Sequence, residues 1–304
     1  MSYTRNCPIC GCSESVTTVE KESRGCELEY VDCKSCAVRF RSTVDHDELE
    51  RLYAYQQDWK SLSREDAYPE LNARKYMELL GEFSRYIAGK RLLDVGCGKG
   101  HFVYRAEQAG WDALGVEVTD ASVSVAQRLG AAVINQDFLA MEKVEFDVVS
   151  MFELVEHLDE PQQFIQKSQE VLTPGGLLFI TTPNRISLDA SLAGASWRAY
   201  DPEHLVLFSP RQLADLVELH GFEIVKLTTR NISPSLIKQA TVGKFRSADK
   251  SSRGGGEVSH RKNDQATRKL IYSSPASACL VKSVNAMISS THWGSTIRLL
   301  ARKK

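Results

Sequence analysis

The chain of 304 residues lacks long apolar runs. No segment approaches the roughly 18 consecutive apolar residues that a helix needs to cross a bilayer, which argues against an integral membrane protein of the helical type. The N-terminal residues also lack the apolar stretch of a secretory signal. We therefore expect a cytoplasmic protein with no transmembrane segment.

The chain has almost no net charge, and it has few cysteines after residue 36. Its 38 Lys and Arg and 39 Asp and Glu give a formal charge of −1, which offers no bulk attraction to nucleic acid or anionic membrane. Six of the eight cysteines fall within the first 36 residues. In a reducing compartment such clustering indicates a bound metal before it indicates disulfides.

Hydrophobic patterning divides the chain into a cysteine-rich module (1–44), a linker that ends in a helical pattern (45–88) and an α/β domain (89–304). In the last part strand and helix patterns alternate, which is typical of a parallel sheet with covering helices. The alternation stops over an insertion at 233–292, and 295–301 then returns as a strand that fits an antiparallel edge. Strands are predicted at 91–95, 113–118, 132–135, 146–151, 177–182 and 223–229, and helices at 101–109, 121–129, 161–172 and 211–220.

A glycine-rich turn directly follows the first strand of this domain. It contains Asp94, Gly96, Gly98 and Gly100, and a helical pattern begins immediately after it. Glycine permits positive φ and lets the backbone approach a ligand without a Cβ in the way. Such a turn also occurs for purely structural reasons, so its meaning depends on the strands beside it.

Acidic residues follow the next two strands. Glu117 ends the second strand, where a carboxylate can accept hydrogen bonds from both hydroxyls of a ribose. Asp137 follows the third strand, where it can accept from an adenine amino group, with Phe138 beside the ring. A solvent-exposed strand end is the plainer interpretation of Glu117, but its spacing from Gly96 favours a nucleoside-containing cofactor.

At these residues the chain resembles the class I S-adenosylmethionine-dependent methyltransferases. The order and spacing of the turn at 94–100, Glu117, the run 146–158 and the Pro-Gly-Gly at 174–176 are similar to that family. Within it, the resemblance is closest to ubiquinone-type O-methyltransferases and to methyltransferases of polysaccharide and nucleotide-sugar biosynthesis. The resemblance implies a seven-stranded α/β sheet with an antiparallel last strand, and S-adenosylmethionine as the cofactor.

The same resemblance implies roles for individual residues. The glycine-rich turn and Phe152, at the end of the fourth strand, would hold the methionyl part of the cofactor. Glu117 would hold the ribose and Asp137 the adenine. A nicotinamide dehydrogenase is the rival, but its GxGxxG fingerprint has two residues before the third glycine and this turn has one.

Two histidines are candidates for moving a proton during methyl transfer, because imidazole titrates near neutral pH. His157 follows the fourth strand, and His204 follows the fifth. The pair Glu203-His204 resembles the glutamate–histidine pair of sugar C-methyltransferases, where it takes part in acid–base chemistry. A structural hydrogen-bonding role is the alternative for both histidines.

The N-terminal module carries two CxxC pairs, Cys7/Cys10 and Cys33/Cys36, separated by 22 residues. Two such pairs complete a tetrahedral four-thiolate site suited to structural Zn²⁺, as in a zinc ribbon. Cys12 and Cys26 are surplus, and either could replace a ligand. Free thiols without metal are the alternative interpretation.

Zinc ribbons often bind nucleic acid, so a nucleic-acid-directed protein is a second class of function. Residues 1–44 contain six basic and six acidic side chains, a balance that provides no phosphate-binding surface, and we expect no nucleic-acid partner.

The insertion at 233–292 is rich in basic residues. The segment from Lys238 to Lys269 contains nine basic and three acidic residues, and residues 276–288 have the apolar pattern of a helix. This insertion is either a surface loop and a helix packed on the domain, or a segment that contacts an anionic or lipid-linked acceptor. Peripheral contact with a membrane surface is also compatible with its basic residues.

The sequence thus predicts a methyltransferase that acts on a small metabolite, most simply a sugar or an intermediate of glycan synthesis. A phenolic or quinone-type hydroxyl is the alternative acceptor.

Overall fold

The computed structural model describes residues 2–45, 47, 49, 51, 68–231 and 291–304. The strands of the N-terminal module are β1 (Ser2–Thr4), β2 (Ser15–Ser23), β3 (Cys26–Cys33), β4 (Arg39–Arg41) and β5 (Thr43–Asp45). Those of the α/β domain are β6 (Arg91–Val95), β7 (Asp112–Glu117), β8 (Val133–Asn135), β9 (Phe146–Phe152), β10 (Leu172–Pro183), β11 (Val206–Leu207), β12 (Phe222–Arg230) and β13 (Thr296–Lys303).

Within the described residues, six α-helices accompany these strands. They are α1 (Tyr68–Phe83), α2 (His101–Gln108), α3 (Asp120–Leu129), α4 (Pro161–Val171), α5 (Leu188–Ala193) and α6 (Pro210–Leu219). Single 3₁₀ turns lie at Val155–His157 and Gly194–Ser196. None of the helices in these described parts of the chain is long and apolar enough to cross a membrane.

Seven strands form the main sheet in the order β12-β13-β10-β9-β6-β7-β8. The strands from β10 to β8 are parallel to one another, and β13 runs antiparallel between β10 and β12. The predicted fold class is therefore confirmed, including the strand that returns after the insertion. The middle strands are buried on both faces, as parallel strands covered by helices must be, and Leu92, Leu93, Val148 and Val149 have no exposed surface.

The second sheet joins the cysteine-rich module to the α/β domain. Its order is β11-β4-β3-β2, so three strands of the module continue into a short strand from the α/β domain. The register pairs Val206 with Phe40 and Leu207 with Arg39. The sequence marks 205–208 only as an apolar-aromatic run and does not predict this pairing.

One hydrophobic core runs through both parts of the molecule. Val31, Val38 and Phe40 of the module belong to the same buried cluster as Val206 and Phe208 of the α/β domain. A division of the chain into 1–44, 45–88 and 89–304 therefore does not coincide with separate cores. The insertion at 233–292 falls, apart from its last two residues, outside the described residues, as does most of the linker before Tyr68.

Candidate active site

The glycine-rich turn after β6 has positive φ at all three glycines: 65° at Gly96, 53° at Gly98 and 70° at Gly100. A Cβ at Gly96 would lie 2.8 Å from Leu154 Cδ1, and one at Gly100 would lie 2.8 Å from Ala126 Cβ. A Cβ at Gly98 would meet nothing within 4 Å. Packing therefore leaves no room for a Cβ at Gly100, and one at Gly96 would make Leu154 move, whereas Gly98 borders open space that a ligand can use.

A cavity of about 150 Å³ lies against this turn. Besides the turn residues Asp94, Gly96, Cys97 and Gly98, it is lined by Tyr76, His101, Phe102 and Phe152. Phe152, at the end of β9, packs on Phe102 with ring centroids 4.9 Å apart. The residues from the ends of β6 and β9 that the sequence assigns to the methionyl part of a cofactor thus border one cavity.

Three lining residues, Tyr76, His101 and Phe102, are absent from the sequence prediction. His101 is the first residue of α2, and its Nδ1 is buried without a hydrogen-bond partner among the described residues. Burial lowers the pKa of His101, and Lys99 and Arg105 lower it further, which favours the neutral ring. Its position directly after Gly100 was the signal in the sequence that could have identified it.

Glu117 lies beside the same turn. One carboxylate oxygen accepts a hydrogen bond from Gly98 N at 2.9 Å, and the other accepts from Val118 N and Thr119 N at 3.0 Å. A carboxylate offers about four acceptor positions, so capacity remains for a further donor. The ribose contact of Glu117 itself stays a prediction.

Asp94 is buried and ties two strands together. Its carboxylate accepts a hydrogen bond from Ser150 Oγ of β9 at 2.7 Å. Burial raises the pKa of Asp94 to about 7, opposed by the Ser150 bond and assisted by the charge of Glu117. The side chain thus fixes the ends of β6 and β9, between which the cavity opens.

The two residues predicted for the adenine differ in their surroundings. Asp137 accepts a hydrogen bond from Leu139 N at 3.0 Å, which closes its own turn. Phe138 is 2% exposed and packs on Phe164 with ring centroids 5.7 Å apart. Phe138 therefore belongs to the core, and the proposed adenine contacts of both residues stay predictions.

The structure brings His157 and His204 together. Their ring centroids lie 4.7 Å apart, and the rings stand nearly perpendicular at 81°. His157 Nδ1 is 2.9 Å from Glu203 O, and His204 Nδ1 is 2.9 Å from Ala199 O. A backbone carbonyl only accepts, so each Nδ1 must carry a proton. Burial lowers the pKa of His204, which favours its neutral ring, and in that ring Nε2 has the lone pair that can accept a proton.

Glu156 completes this cluster and is a residue that the sequence prediction missed. One ligand atom from each of Glu156, His157 and His204 lies within 4.8 Å of the others. The Glu156 carboxyl is 1% exposed and accepts a hydrogen bond from Thr182 Oγ1 at 2.9 Å. Burial, with help from the charge of Glu153, raises the pKa of this carboxyl well above its ordinary value, which favours its neutral form beside the two rings.

The carboxylate of Glu203 pairs with an arginine and not with the ring of His204, which a catalytic pair would suggest. Its carboxylate oxygen lies 3.0 Å from Arg24 Nη1 of the cysteine-rich module, and its backbone oxygen accepts from His157. Ala199 O, not the Glu203 carboxylate, is the partner of His204 Nδ1. The ring of His204 is thus oriented by the backbone, and Glu203 connects the site to the module.

The four CxxC cysteines converge at one end of the module. A sulfur atom from each of Cys7, Cys10, Cys33 and Cys36 lies within 4.8 Å of the others. The Cys12 thiol instead donates to Glu14 O, and the Cys26 thiol to Arg24 O. Four converging sulfurs fit a tetrahedral zinc site. The arrangement favours the two CxxC pairs as ligands over Cys12 or Cys26.

A sequence model described as a methyltransferase domain matches residues 65–227, more than half of the chain. The chain belongs to this family. The matched region contains the glycine-rich turn, Glu117, Asp137, His157 and His204, but it does not reach the cysteine-rich module. The family match therefore spans the residues of the cofactor cavity and of the histidine pair, and the four cysteines are argued from geometry alone.

Named relatives of this methyltransferase cover only part of its length. A ubiquinone biosynthesis O-methyltransferase from Pseudomonas fluorescens (strain SBW25) is 33% identical over 154 residues, which are 47% of this chain and 66% of the relative. The protein of that name from Bordetella avium (strain 197N) is 28% identical over 160 residues, 49% of this chain and 66% of the relative. The chain thus matches slightly less than two thirds of the length of these relatives.

The crystal structure of a SAM-dependent methyltransferase from Archaeoglobus fulgidus has the same fold. The TM-score is 0.52 at 18% identity, with 83% of this chain and 99% of the other covered. At this identity the likeness supports the methyltransferase fold and no finer statement.

Proposed function

We propose that this methyltransferase moves the methyl group of S-adenosylmethionine to a hydroxyl of a small acceptor, with His204 as the general base. The observation that carries the proposal is the pair of imidazoles at 157 and 204, each with its Nδ1 facing a backbone carbonyl. His157 follows β9, the strand whose Phe152 lines the cavity at the glycine-rich turn. The strand that borders the proposed cofactor site thus leads to His157, and the ring of His204 packs against His157.

Bound S-adenosylmethionine supplies a methyl group that its positive sulfur has already activated. The protein has to hold the acceptor oxygen in line with that group and to exclude water, and this alignment provides much of the acceleration. His204 Nε2 then takes the hydroxyl proton as the methyl arrives. The Nδ1–H keeps its bond to Ala199 O throughout, so the ring does not need to turn.

A phenolic or quinone-type hydroxyl is the acceptor that the named relatives favour. Both relatives carry the name ubiquinone biosynthesis O-methyltransferase, which supports the alternative of the sequence analysis better than its first choice, a sugar. A phenol has a pKa of about 10, within reach of a single imidazole, whereas an ordinary alcohol is a far weaker acid. One neutral histidine is therefore better matched to a phenol.

A sugar acceptor stays as the second candidate because of one local feature. The Glu203-His204 pair, which resembles that of sugar C-methyltransferases, packs against the cysteine-rich module through Arg24. Assaying phenols and nucleotide sugars side by side separates the two candidates. Turnover of the sugars alone would reject the phenolic acceptor.

We also propose one Zn²⁺ held by Cys7, Cys10, Cys33 and Cys36 in a structural site. The supporting observation is the convergence of the four sulfurs, with Cys7–Cys36 and Cys10–Cys33 separations of 3.5 Å. The pKa values of these thiols differ. Burial raises the pKa of Cys7 to about 11 and also raises that of Cys36, whereas hydrogen bonds from the N–H groups of Cys36 and Ser35 outweigh burial at Cys33 and lower its pKa to about 6. A thiolate is the form that binds zinc.

The replacement His204→Asn tests the base directly. The asparagine amide can still donate to Ala199 O, but nothing remains at the position of Nε2. We expect kcat to fall by about 10² to 10⁴ while the Kd for S-adenosylmethionine stays the same. His220 also faces a backbone carbonyl, Leu216 O, at the end of α6, so His220→Asn is a matched control with unchanged kcat. A His204→Asn enzyme within tenfold of wild type would reject the base and leave alignment as the source of the rate.

The assays include a chelator arm, because a carboxyl group beside two imidazoles could also take up a divalent cation. Activity that persists with chelator supports proton transfer to His204. Activity that disappears with chelator and returns with added Mg²⁺ would show that a bound metal ion, and not His204, activates the acceptor hydroxyl.

A further inference from the structure

The loop that carries His204, residues 199–205, is held from two sides. On the side of the α/β domain, Leu205 N donates to Glu156 O at 2.6 Å and His157 Nδ1 lies 2.9 Å from Glu203 O. The cysteine-rich module holds the loop from the other side. Two residues beyond His204 the chain enters the module's sheet as β11, and Arg41 N donates to Leu205 O at 3.0 Å. Arg41 also donates from its guanidinium to Pro202 O, and Arg5 Nη2 donates to Leu205 O at 2.7 Å. Backbone carbonyls on both sides of His204 therefore receive their hydrogen bonds from the module.

Tyr30 supplies the contact nearest to His204. It lies in β3 with no exposed surface, and its hydroxyl is 2.8 Å from Asp201 O and 2.7 Å from His204 O. The hydroxyl has one hydrogen and serves one of these carbonyls at a time. Its ring packs on Tyr200, with centroids 4.9 Å apart. The hydroxyl thus fixes the backbone of His204 itself, and the ring fixes the start of the loop.

Arg24 supplies a second fixation from the tip of the β2–β3 hairpin. It has a positive φ of 53° and precedes Gly25, so the tight turn projects its side chain toward the α/β domain. The guanidinium pairs with the carboxylates of Asp201 and Glu203, which are 25% and 8% exposed. Glu203 O in turn accepts from His157 Nδ1. Arg24 therefore contacts Glu203, the residue whose backbone oxygen binds His157.

We propose that Tyr30 and Arg24 of the cysteine-rich module are positioning residues that hold His204 against His157. The proposal rests on the proposed function of His204 as the base. The bond from His204 Nδ1 to Ala199 O lies within the loop and moves with it, so this bond alone does not fix the ring relative to His157. The contacts from Tyr30 and Arg24 come from outside the loop and hold it from the side opposite to the bonds that Glu156 O and His157 Nδ1 make with Leu205 N and Glu203 O, so the loop is fixed from both sides.

The test uses Tyr30→Phe, which removes one hydroxyl and keeps the ring, and Arg24→Gln, which removes the ion pairs with Asp201 and Glu203. We expect kcat to fall by about tenfold or more in each, because small displacements of reacting groups carry large rate costs. The Kd for S-adenosylmethionine and the zinc content should be unchanged. Arg24→Lys should recover part of the rate, since one cation remains. Lys34→Gln is the matched control, because it breaks an exposed ion pair with Glu14 in the same module without contact to the loop.

A spectroscopic readout separates positioning from a general loss of structure. In ¹⁵N-histidine-labelled full-length protein, the ring signals of His204 and His157 should shift in Tyr30→Phe and Arg24→Gln and stay fixed in Lys34→Gln. Unchanged ring signals and unchanged kcat in both variants would overturn the proposal. If Tyr30→Phe does not fold, the kcat and ring signals of Arg24→Gln, together with the recovery of rate in Arg24→Lys, decide between positioning and no role.

The same signals distinguish this proposal from the proposed function. If His204→Asn keeps its rate, the base is wrong, but ring signals that still shift in Tyr30→Phe and Arg24→Gln support positioning. If His204→Asn is inactive and the ring signals do not move, the base stands and the positioning role falls.

Discussion

At the scale of single residues, the chemistry of His204 depends on which ring nitrogen carries the proton and on how readily the other accepts one. Ala199 O fixes the proton on Nδ1. Burial lowers the pKa of His204 below its ordinary value of 6.5, with Arg24 acting in the same direction and Asp201 and Ala199 opposing. The neutral ring, which is the form able to act as a base, is therefore retained to lower pH than in a free histidine.

A pH–rate profile follows from this shift. The rate should fall on the acid side as His204 becomes protonated, and because its pKa is lowered, the midpoint of that limb should lie below 6.5. The measurement is kcat at saturating acceptor and cofactor from pH 5 to 8. In His204→Asn the residual rate should lose this limb. A wild-type limb centred above 6.5 would contradict the assignment.

The cofactor site makes a second prediction at the residue scale. Glu117→Gln keeps the size of the side chain but removes the charge and places an amide near Gly98 N. We expect binding of S-adenosylmethionine to weaken by about 1.5–3 kcal/mol, the range for a hydrogen bond to a charged group. Calorimetric titration measures it, with Asp112→Asn at the exposed start of the same strand as the control. Equal affinity of Glu117→Gln and wild type would reject the ribose contact.

At the scale of elements, regular strands and helices could be predicted from the sequence, and irregular contacts could not. The predicted strand at 91–95 coincides with β6, and the returning strand at 295–301 overlaps β13, because buried strands and capped helices carry local signals. Ser209 and Gln212 form a capping box at the start of α6, which lies where the sequence predicts a helix at 211–220. These elements specify the sheet and place the cofactor turn at the carboxyl end of β6, an inner strand.

The strand β11 shows where local signals end. It has two residues, and its strand pairing is with β4, more than 160 positions earlier. No local periodicity encodes a partner at that distance, so the link between the module and the His204 loop is invisible in the sequence. Glu156 was missed for a related reason, since only the fold shows that it lies buried beneath two histidines from different segments.

The zinc site is the prediction that belongs to the module as an element. Protein purified without chelator should contain about one equivalent of zinc, because four converging sulfurs form a closed site. Cys33→Ser should abolish it, whereas Cys12→Ser, a cysteine outside the cluster, should not. Elemental analysis of the variants measures this. Zinc loss in Cys12→Ser, or folded wild-type protein without zinc, would show that the ligand set is wrong.

At the scale of the whole molecule, the module and the α/β domain share a core and a sheet. Phe40 is 1% exposed and Val206 and Phe208 have no exposed surface, and the three belong to one buried cluster. Arg5 of the module also pairs with Asp159 of the α/β domain at 2.9 Å. Neither part can be removed without exposing apolar surface of the other, so function and stability are coupled along the chain.

This coupling predicts the outcome of removing residues 1–44. Deleting the module takes the cover from Val206, Leu207 and Phe208, and each fully buried apolar side chain contributes about 1.5–3 kcal/mol. That loss is comparable to the whole stability of a typical domain, about 5–15 kcal/mol, so the shortened chain should be unstable or aggregate.

Intact protein should unfold in a single calorimetric transition, and Cys33→Ser, by removing the proposed zinc, should lower the midpoint of that transition as a whole. Two separate transitions, or a soluble 45–304 chain that binds S-adenosylmethionine like wild type, would instead identify the module as an independent domain. Its contacts with the His204 loop would then be dispensable for the fold and would have to be judged by catalysis alone.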